Sequence, residues 1–150
     1  MFAIALYNEK EGMLRLYRDT AGQKPLYFTT TLPFAFSSEL SPLVKLISSR
    51  TIDAEGLMLA GALGYIPGTK TLFSSISKVD AGEVVTVHED GTMSRSYFSP
   101  QFDEPLEGTP KEVLERVVTE HLQSKQKVAL NLSGGLDSSV LLHEMKEAGH

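Results

Sequence analysis

The sequence predicts an α/β chain in two parts. Residues 1 to about 99 read as an α+β portion, mostly antiparallel sheet with helices, and residues 110–150 as the start of a parallel, doubly wound sheet. Three observations carry this. Short apolar or alternating runs recur up to residue 98, and two of them flank Asp90-Gly91, one of the strongest short hairpin signals. Residues 99–109 carry Pro100, Pro105, Asp103, Glu104 and Glu107 without periodicity, the pattern of an exposed linker. Beyond them come a helical pattern, a short apolar run, a loop of small residues and a second helical pattern.

Each element has a local reason. Phe2 to Tyr7 is continuously apolar and reads as a fully buried strand with almost no lead-in, which suggests a preceding segment or a covering partner. Residues 8–12 form a turn, and Met13 to Arg18 alternates, completing a hairpin. After the Arg18-Asp19 corner and a turn at Gly22, Pro25 to Thr30 and Phe34 to Ser37 read as strands around Pro33. Ser41-Pro42 looks like an N-cap with proline first in the helix, followed by Leu43, Val44, Leu46 and Ile47 on one face. Asp53 caps a second helix carrying Leu57, Ala60 and Leu63, against the preference of Gly56, Gly61 and Gly64. Glu83 to His88 and Met93 to Phe98 are the hairpin strands around Asp90-Gly91. Thr109-Pro110-Lys111-Glu112 is a capping box. Its helix presents Leu114, Val117, Val118 and Leu122 to a strand from Val128 to Leu132.

Composition narrows the function classes. A net charge of −5 over 150 residues argues against nucleic acid or an acidic membrane surface as the main partner. No stretch approaches eighteen apolar residues, so no membrane span is expected. The apolar start lacks a basic lead and a cleavage signature, so it does not read as a signal peptide. The chain has no cysteine, which excludes disulfides, thiolate metal sites and thiol nucleophiles within it and fits a cytoplasmic setting.

The chemistry-bearing stretch is Leu132-Ser133-Gly134-Gly135-Leu136-Asp137-Ser138-Ser139, between the apolar run and the last helix. A small-residue loop opening a helix gathers free backbone N–H groups and the positive helix end at one point. Two glycines let main chain approach an anion, and three serines add hydroxyl donors. The common nucleoside triphosphatase loop needs a lysine after its second glycine, and the dinucleotide fingerprint needs three spaced glycines; neither fits. The nucleophile elbow fails as well. Asp137 stands where the lysine charge would be, and a carboxylate beside polyphosphate calls for Mg²⁺ between them. Such a loop suits a leaving pyrophosphate, the electrostatics of adenylation by ATP.

Ser133 to Ser139 resembles the pyrophosphate loop of the N-type ATP pyrophosphatases. With Leu132 and Ser139 as flanks it is most similar to glutamine-hydrolysing asparagine synthetases and their β-lactam synthetase relatives. The resemblance extends through Phe2 to Tyr7, Arg18-Asp19 with Gly22, Lys24 to Tyr27, Phe36 to Glu39, Gly64 to Gly68, Thr71 to Phe73 and Ala81 to Glu83, in the family's order. It implies that residues 1–99 are the later part of a class II glutaminase domain of the α-β-β-α sandwich type. Residues 100–109 are then a linker, and residues 110–150 open an ATP pyrophosphatase domain. It further implies that Ser133, Gly134, Gly135, Ser138 and Ser139 hold pyrophosphate and Asp137 binds Mg²⁺, while a carboxylate, aspartate by default, is adenylated and amidated. Two departures are Ser41-Pro42, where a basic residue often follows the Glu39 position, and Ala81, where proline is usual.

The family's glutaminase uses an N-terminal cysteine, absent here, and its upstream glutamine-binding motifs are missing as well. The expectation is therefore a central slice of a longer protein, with no complete catalytic set and with nucleotide binding but no turnover. Homodimerisation or contact with further chain segments is the partner expectation. A non-catalytic nucleotide- or partner-binding module, and a processed N-terminal-nucleophile hydrolase, remain the alternatives. Arg18-Asp19 reads as a structural corner sooner than a substrate clamp. Glu39 reads as a solvated helix-start carboxylate or a residue beside an ammonia passage. Ser139, His143 and Asp137 mimic a triad that helix geometry does not support. His88, His121 and His150 have no metal-ligand spacing.

Overall fold

The structure is a computed structural model that describes residues 1–100, 107–124 and 127–150. The chain divides into two compact units, residues 1–101 and 102–150. Most of the linker stretch, residues 101–106, lies outside the described residues.

Among its described residues the first unit contains seven strands and two helices: β1 (Ala3–Asn8), β2 (Met13–Arg18), β3 (Tyr27–Thr29), β4 (Phe36–Ser37), α1 (Leu40–Leu46), α2 (Ala54–Leu63), β5 (Ile76–Lys78), β6 (Glu83–His88) and β7 (Met93–Tyr97). One antiparallel sheet runs β1-β2-β6-β7, and a second runs β4-β3-β5. Helices and sheet together make the mixed α/β fold that the sequence predicts.

Alternation sets the core. Leu16 pairs across the ladder with Val85, and both are fully buried against Phe28, Leu26, Val79 and Val87. A second cluster joins Leu43 and Ile47 to Ile76 of β5. Glu83 falls on the inward side of β6 with no exposed surface. Its Oε1 pairs with Arg95 Nη1 at 3.1 Å, and its Oε2 accepts the Asp80 N–H at 2.6 Å. Arg95 also donates to Ser77 Oγ of β5 at 2.8 Å and lies 5.3 Å from the Phe28 ring centroid. One buried carboxylate thus ties β6, β7 and the second sheet together.

The Arg18-Asp19 corner has the structural role. The Arg18 guanidinium donates to three carbonyls, those of Lys24, Val79 and Gly22. Asp19 accepts the main-chain N–H groups of Gln23, Lys24 and Phe2, at 3.0, 3.2 and 3.2 Å. These bonds, the one from Gln23 foremost, lower its pKa from 3.8 to about 2.

Several expectations are corrected. Phe2 to Tyr7 forms a strand but not a buried one: Ile4 and Leu6 are about half exposed, at 47% and 51%. With Phe2, Tyr17, Val84 and Phe98 they line one apolar groove. Glu39, not Ser41, is the N-cap of α1. Pro42 therefore sits third in the helix, still inside the turn whose N–H groups have no intrahelical acceptor, so its missing donor costs nothing. Asp53 does cap α2, accepting the Gly56 N–H at 2.7 Å. The three-residue β5 went unpredicted because Ser75 and Ser77 break any apolar pattern around Ile76.

In the second unit, α3 (Pro110–His121) opens on the expected capping box, with Thr109 and Glu112 bonding reciprocally. The last helix is α4 (Leu136–Glu147). Val128 to Leu132 is not a strand: it has no pairing partner among the described residues, and Val128 and Leu132 are 42% and 54% exposed. A strand is defined by its ladder, so an apolar run alone stays extended but unassigned. All pairings among the described residues are antiparallel, so these residues hold no parallel sheet.

Two outcomes follow. Glu83→Gln should destabilise the first unit by about 2–3 kcal/mol, because Arg95 and the Asp80 N–H lose a charged partner while partial exposure of Arg95 limits the damage. A urea midpoint that falls at unchanged slope is the expected reading. Asp19 is bound more favourably as carboxylate, so its contribution is complete above its unfolded pKa and is lost as pH falls from about 4 to about 2. Asp19→Asn should flatten that part of the stability–pH curve.

Candidate functional site

The candidate site is built where the extended segment turns into α4. Gly134 adopts φ +82°, a left-handed conformation that side chains disfavour, and a Cβ added there would meet open space. Gly135 is the N-cap of α4, with φ −78° and ψ 168°, and no side chain caps the helix. The first-turn N–H groups of α4 therefore have neither an intrahelical acceptor nor a capping oxygen. Ser133 to Asp137, around that helix start, are all exposed.

The serines are brought together as the spacing requires. The Gly135 N–H donates to Ser133 Oγ at 3.3 Å, Ser133 and Ser138 hydroxyls lie 3.1 Å apart, and Ser138 Oγ donates to the Gly135 carbonyl at 3.1 Å. With Ser133 donating to Ser138, these bonds close a ring in which each hydroxyl gives and takes one. Ser139 Oγ donates to the same carbonyl at 2.8 Å, beside the helical bond from its own N–H. The loop satisfies its hydroxyls internally. An incoming anion would compete for donors already oriented around Gly135.

Asp137 lies in the first turn of α4, where the helix dipole favours a negative charge. It is exposed, and its side chain takes no part in any hydrogen bond or ion pair among the described residues. Leu132 and Leu136 are 54% and 79% exposed, so they flank the loop without adding a polar group. Behind the loop, an apolar cavity of about 320 Å³ lies between α3, α4 and Val128 to Leu130. Its lining is core-like, with His121 its one titratable residue, so it is not the anion site.

Other candidates fall away. Ser139 Oγ is committed to a carbonyl and not to His143, which leaves the triad without its nucleophile–base bond. Glu39 is exposed at the start of α1 and forms no capping bond, as a solvated helix-start carboxylate would. His121 Nδ1 lies 2.8 Å from the Val117 carbonyl, and no metal-binding group of three appears among the described residues. Two charged groups escaped sequence patterning, Glu83 and Lys78. An alternation rule reads an inward charge as an outward one, and only the tertiary partners reveal the difference.

Residues 1–98 match the family model described as a glutamine amidotransferase domain, which is more than half of the chain. The chain belongs to that family. Residues 110–150 of this amidotransferase-domain chain match the asparagine synthase model. Asparagine synthetase [glutamine-hydrolyzing] 1 of Bacillus subtilis is 31% identical over 98% of the chain and 24% of its own length. Putative asparagine synthetase [glutamine-hydrolyzing] 2 of Methanocaldococcus jannaschii is 31% identical over 98% of the chain and 31% of its own length. A putative asparagine synthetase [glutamine-hydrolyzing] of Mycobacterium tuberculosis is 31% identical over 94% and 24%. The chain therefore spans between about a quarter and a third of the length of these curated relatives. No helix among the described residues is long and apolar enough to cross a membrane.

The two glycines make different demands. Gly134→Ala should disfavour the loop conformation by about 1–2 kcal/mol, because alanine pays for the left-handed backbone whatever the space around it. Gly135→Ala keeps an ordinary φ, with its Cβ 3.4 Å from Ser133 Oγ. Amide exchange at Ser133 to Ser139 should accelerate in Gly134→Ala and stay near wild type in Gly135→Ala.

Proposed function

We propose that Ser133 to Ser139 hold the pyrophosphate portion of ATP in an asparagine synthetase-type amidotransferase of which this chain is a part. The observation that carries this is the uncapped start of α4 at Gly135, with the Ser138 and Ser139 hydroxyls on its carbonyl and Ser133 Oγ on its N–H. The match of residues 110–150 to the asparagine synthase model supports it. In this reading residues 1–99 are the later part of the amidotransferase domain, residues 100–109 the linker and residues 110–150 the opening of the ATP-using domain.

The residues fit the groups assigned to them. Gly134 leaves open space on its Cβ side, so phosphate oxygens can reach main chain. The free N–H groups and the helix dipole favour a multiply charged anion. Asp137 would hold Mg²⁺, an oxygen-ligated ion that neutralises phosphate charge. Hydroxyls of Ser133 and Ser138 would turn from each other to the anion, keeping their count of hydrogen bonds. Ser139 would keep the Gly135 carbonyl engaged and so hold the glycine turn in place.

The reaction class is activation of a carboxylate by ATP with release of pyrophosphate, followed by amidation. Donors fixed before reaction and aimed at charge that builds on the leaving group are the device by which this loop lowers the barrier. The acceptor acid is aspartate by default in this reading; a β-lactam precursor or a sugar carboxylate would use the same loop. The chain contains no cysteine, so the thiol expected to release ammonia from glutamine would come from outside these residues. The 150-residue chain alone is then a weak pyrophosphate binder without synthetic turnover, placed in the cytoplasm.

The test uses the full-length protein. Asp137→Ala should abolish ATP–pyrophosphate exchange at a fixed Mg²⁺ concentration while leaving glutamine hydrolysis in place. Exchange at the wild-type rate would remove Asp137 from the metal site.

A further inference from the structure

The loop Gly64 to Thr71 and the strand β5 enclose a cleft of about 380 Å³, within the size range of small-molecule sites. Its walls are Tyr27, Leu40, Tyr65, Ile66 and Leu72, and Lys78 stands among them. We propose that this cleft binds a small carboxylate with an apolar body, the carboxylate seated on the Lys78 ammonium.

The charge bookkeeping points there. Two lysines line the cleft, and they differ. Lys70 is already neutralised, with Asp53 at 3.2 Å and Glu55 at 3.1 Å. Lys78 donates to the Ile66 carbonyl and has no ion-pair partner among the described residues. Half-burying an ammonium without a counter-charge is unfavourable. Desolvation first, and then the nearby Arg18 guanidinium, hold the Lys78 pKa below its ordinary value, with Asp80 acting weakly in the other direction. Arg18 itself donates to three neutral carbonyls and forms no ion pair among the described residues, so it adds positive potential beside Lys78. An incoming carboxylate would supply the missing charge.

The site is held open in advance of any ligand. Lys78 N and Ser77 Oγ both donate to the Thr69 carbonyl, at 2.7 and 3.1 Å, and so tie the loop to β5. Gly64 and Gly68, both at positive φ, set the turns between which Tyr65 and Ile66 are displayed. Tyrosine rings and leucine side chains then offer an apolar body a contact that water cannot match. Because every residue of this cleft lies in the first unit, the inference does not depend on the pyrophosphate reading of the second.

Calorimetric titration of the 150-residue chain with benzoate, and separately with its neutral counterpart benzamide, tests the proposal. Wild type should bind benzoate at one saturable site and benzamide roughly tenfold more weakly, the difference being one charge-assisted contact. Lys78→Gln should lose that preference, and Lys78→Arg, which keeps the charge, should retain it. Thermal melts of both variants register any loss of fold, and the Arg variant separates lost charge from lost structure. Equal binding of benzoate and benzamide by wild type would overturn the proposal. So would the absence of saturable benzoate binding, or an unchanged preference in Lys78→Gln.

Discussion

A carboxylate with no exposed surface governs the first unit. Glu83 sits on the inward side of β6 with no exposed surface, where a lone charge would be intolerable. Its two oxygens are therefore spoken for, one by Arg95 and one by the Asp80 N–H. That requirement fixes more than a pair. Arg95 must reach inward across β7, which sets the register against Val85, and its second nitrogen must meet Ser77 of the other sheet. Two sheets that share only an apolar core could slide over each other, because dispersion is nearly indifferent to small displacements. A forked cation between a buried carboxylate and a hydroxyl is not indifferent. The apolar core supplies the adhesion and Glu83 supplies the alignment.

The same logic, with opposite sign, describes the loop before α4. There the polar groups are not buried but displayed, and what matters is that the first-turn N–H groups lack a capping partner. A serine or threonine at the N-cap would have satisfied one first-turn N–H and lowered the value of the site to an anion. Glycine at 135 leaves those donors available, and Gly134 supplies the left-handed turn that aims them. Ser138 and Ser139 lie three and four residues past the N-cap, too late to cap, and instead brace the Gly135 carbonyl. A loop without a lysine depends on such main-chain donors, which are numerous and individually weak. Their joint effect rests on geometry being set before the anion arrives.

The sequence disclosed what is local and concealed what is reciprocal. The capping box at Thr109, the Asp53 cap, the Asp90-Gly91 hairpin and the glycine-serine loop were legible, because each is written within a few consecutive residues. The burial of β1 was misread, since an apolar run states a preference and only a neighbouring layer can satisfy it. Val128 to Leu132 failed as a strand for a related reason: half of a ladder is not a ladder. Glu83 and Lys78 were invisible, because in a period-two pattern a charge is taken to face water. Beyond the loop itself, the family resemblance carried more of the functional reading than periodicity did, and the matches over residues 1–98 and 110–150 supply its independent support.

The two units also differ in how they hold themselves together, and this bears on the loop. Nearly all fully buried apolar side chains belong to residues 1–101, whereas the described part of the second unit contributes only Val118 and Leu122. The loop cannot then be rigid because a core beneath it is rigid. Its order must come from nearby sources: the ring of hydrogen bonds around Gly135, the fixed backbone of Gly134 and the first turns of α4. Such local order is inexpensive to form and easy to lose, since each bond contributes about 1 kcal/mol net. An anion that takes over those donors would stabilise the helix start as well as itself, because binding and local ordering draw on the same groups. On the proposed reading, occupancy and order at this loop would be linked, because the same donors serve both.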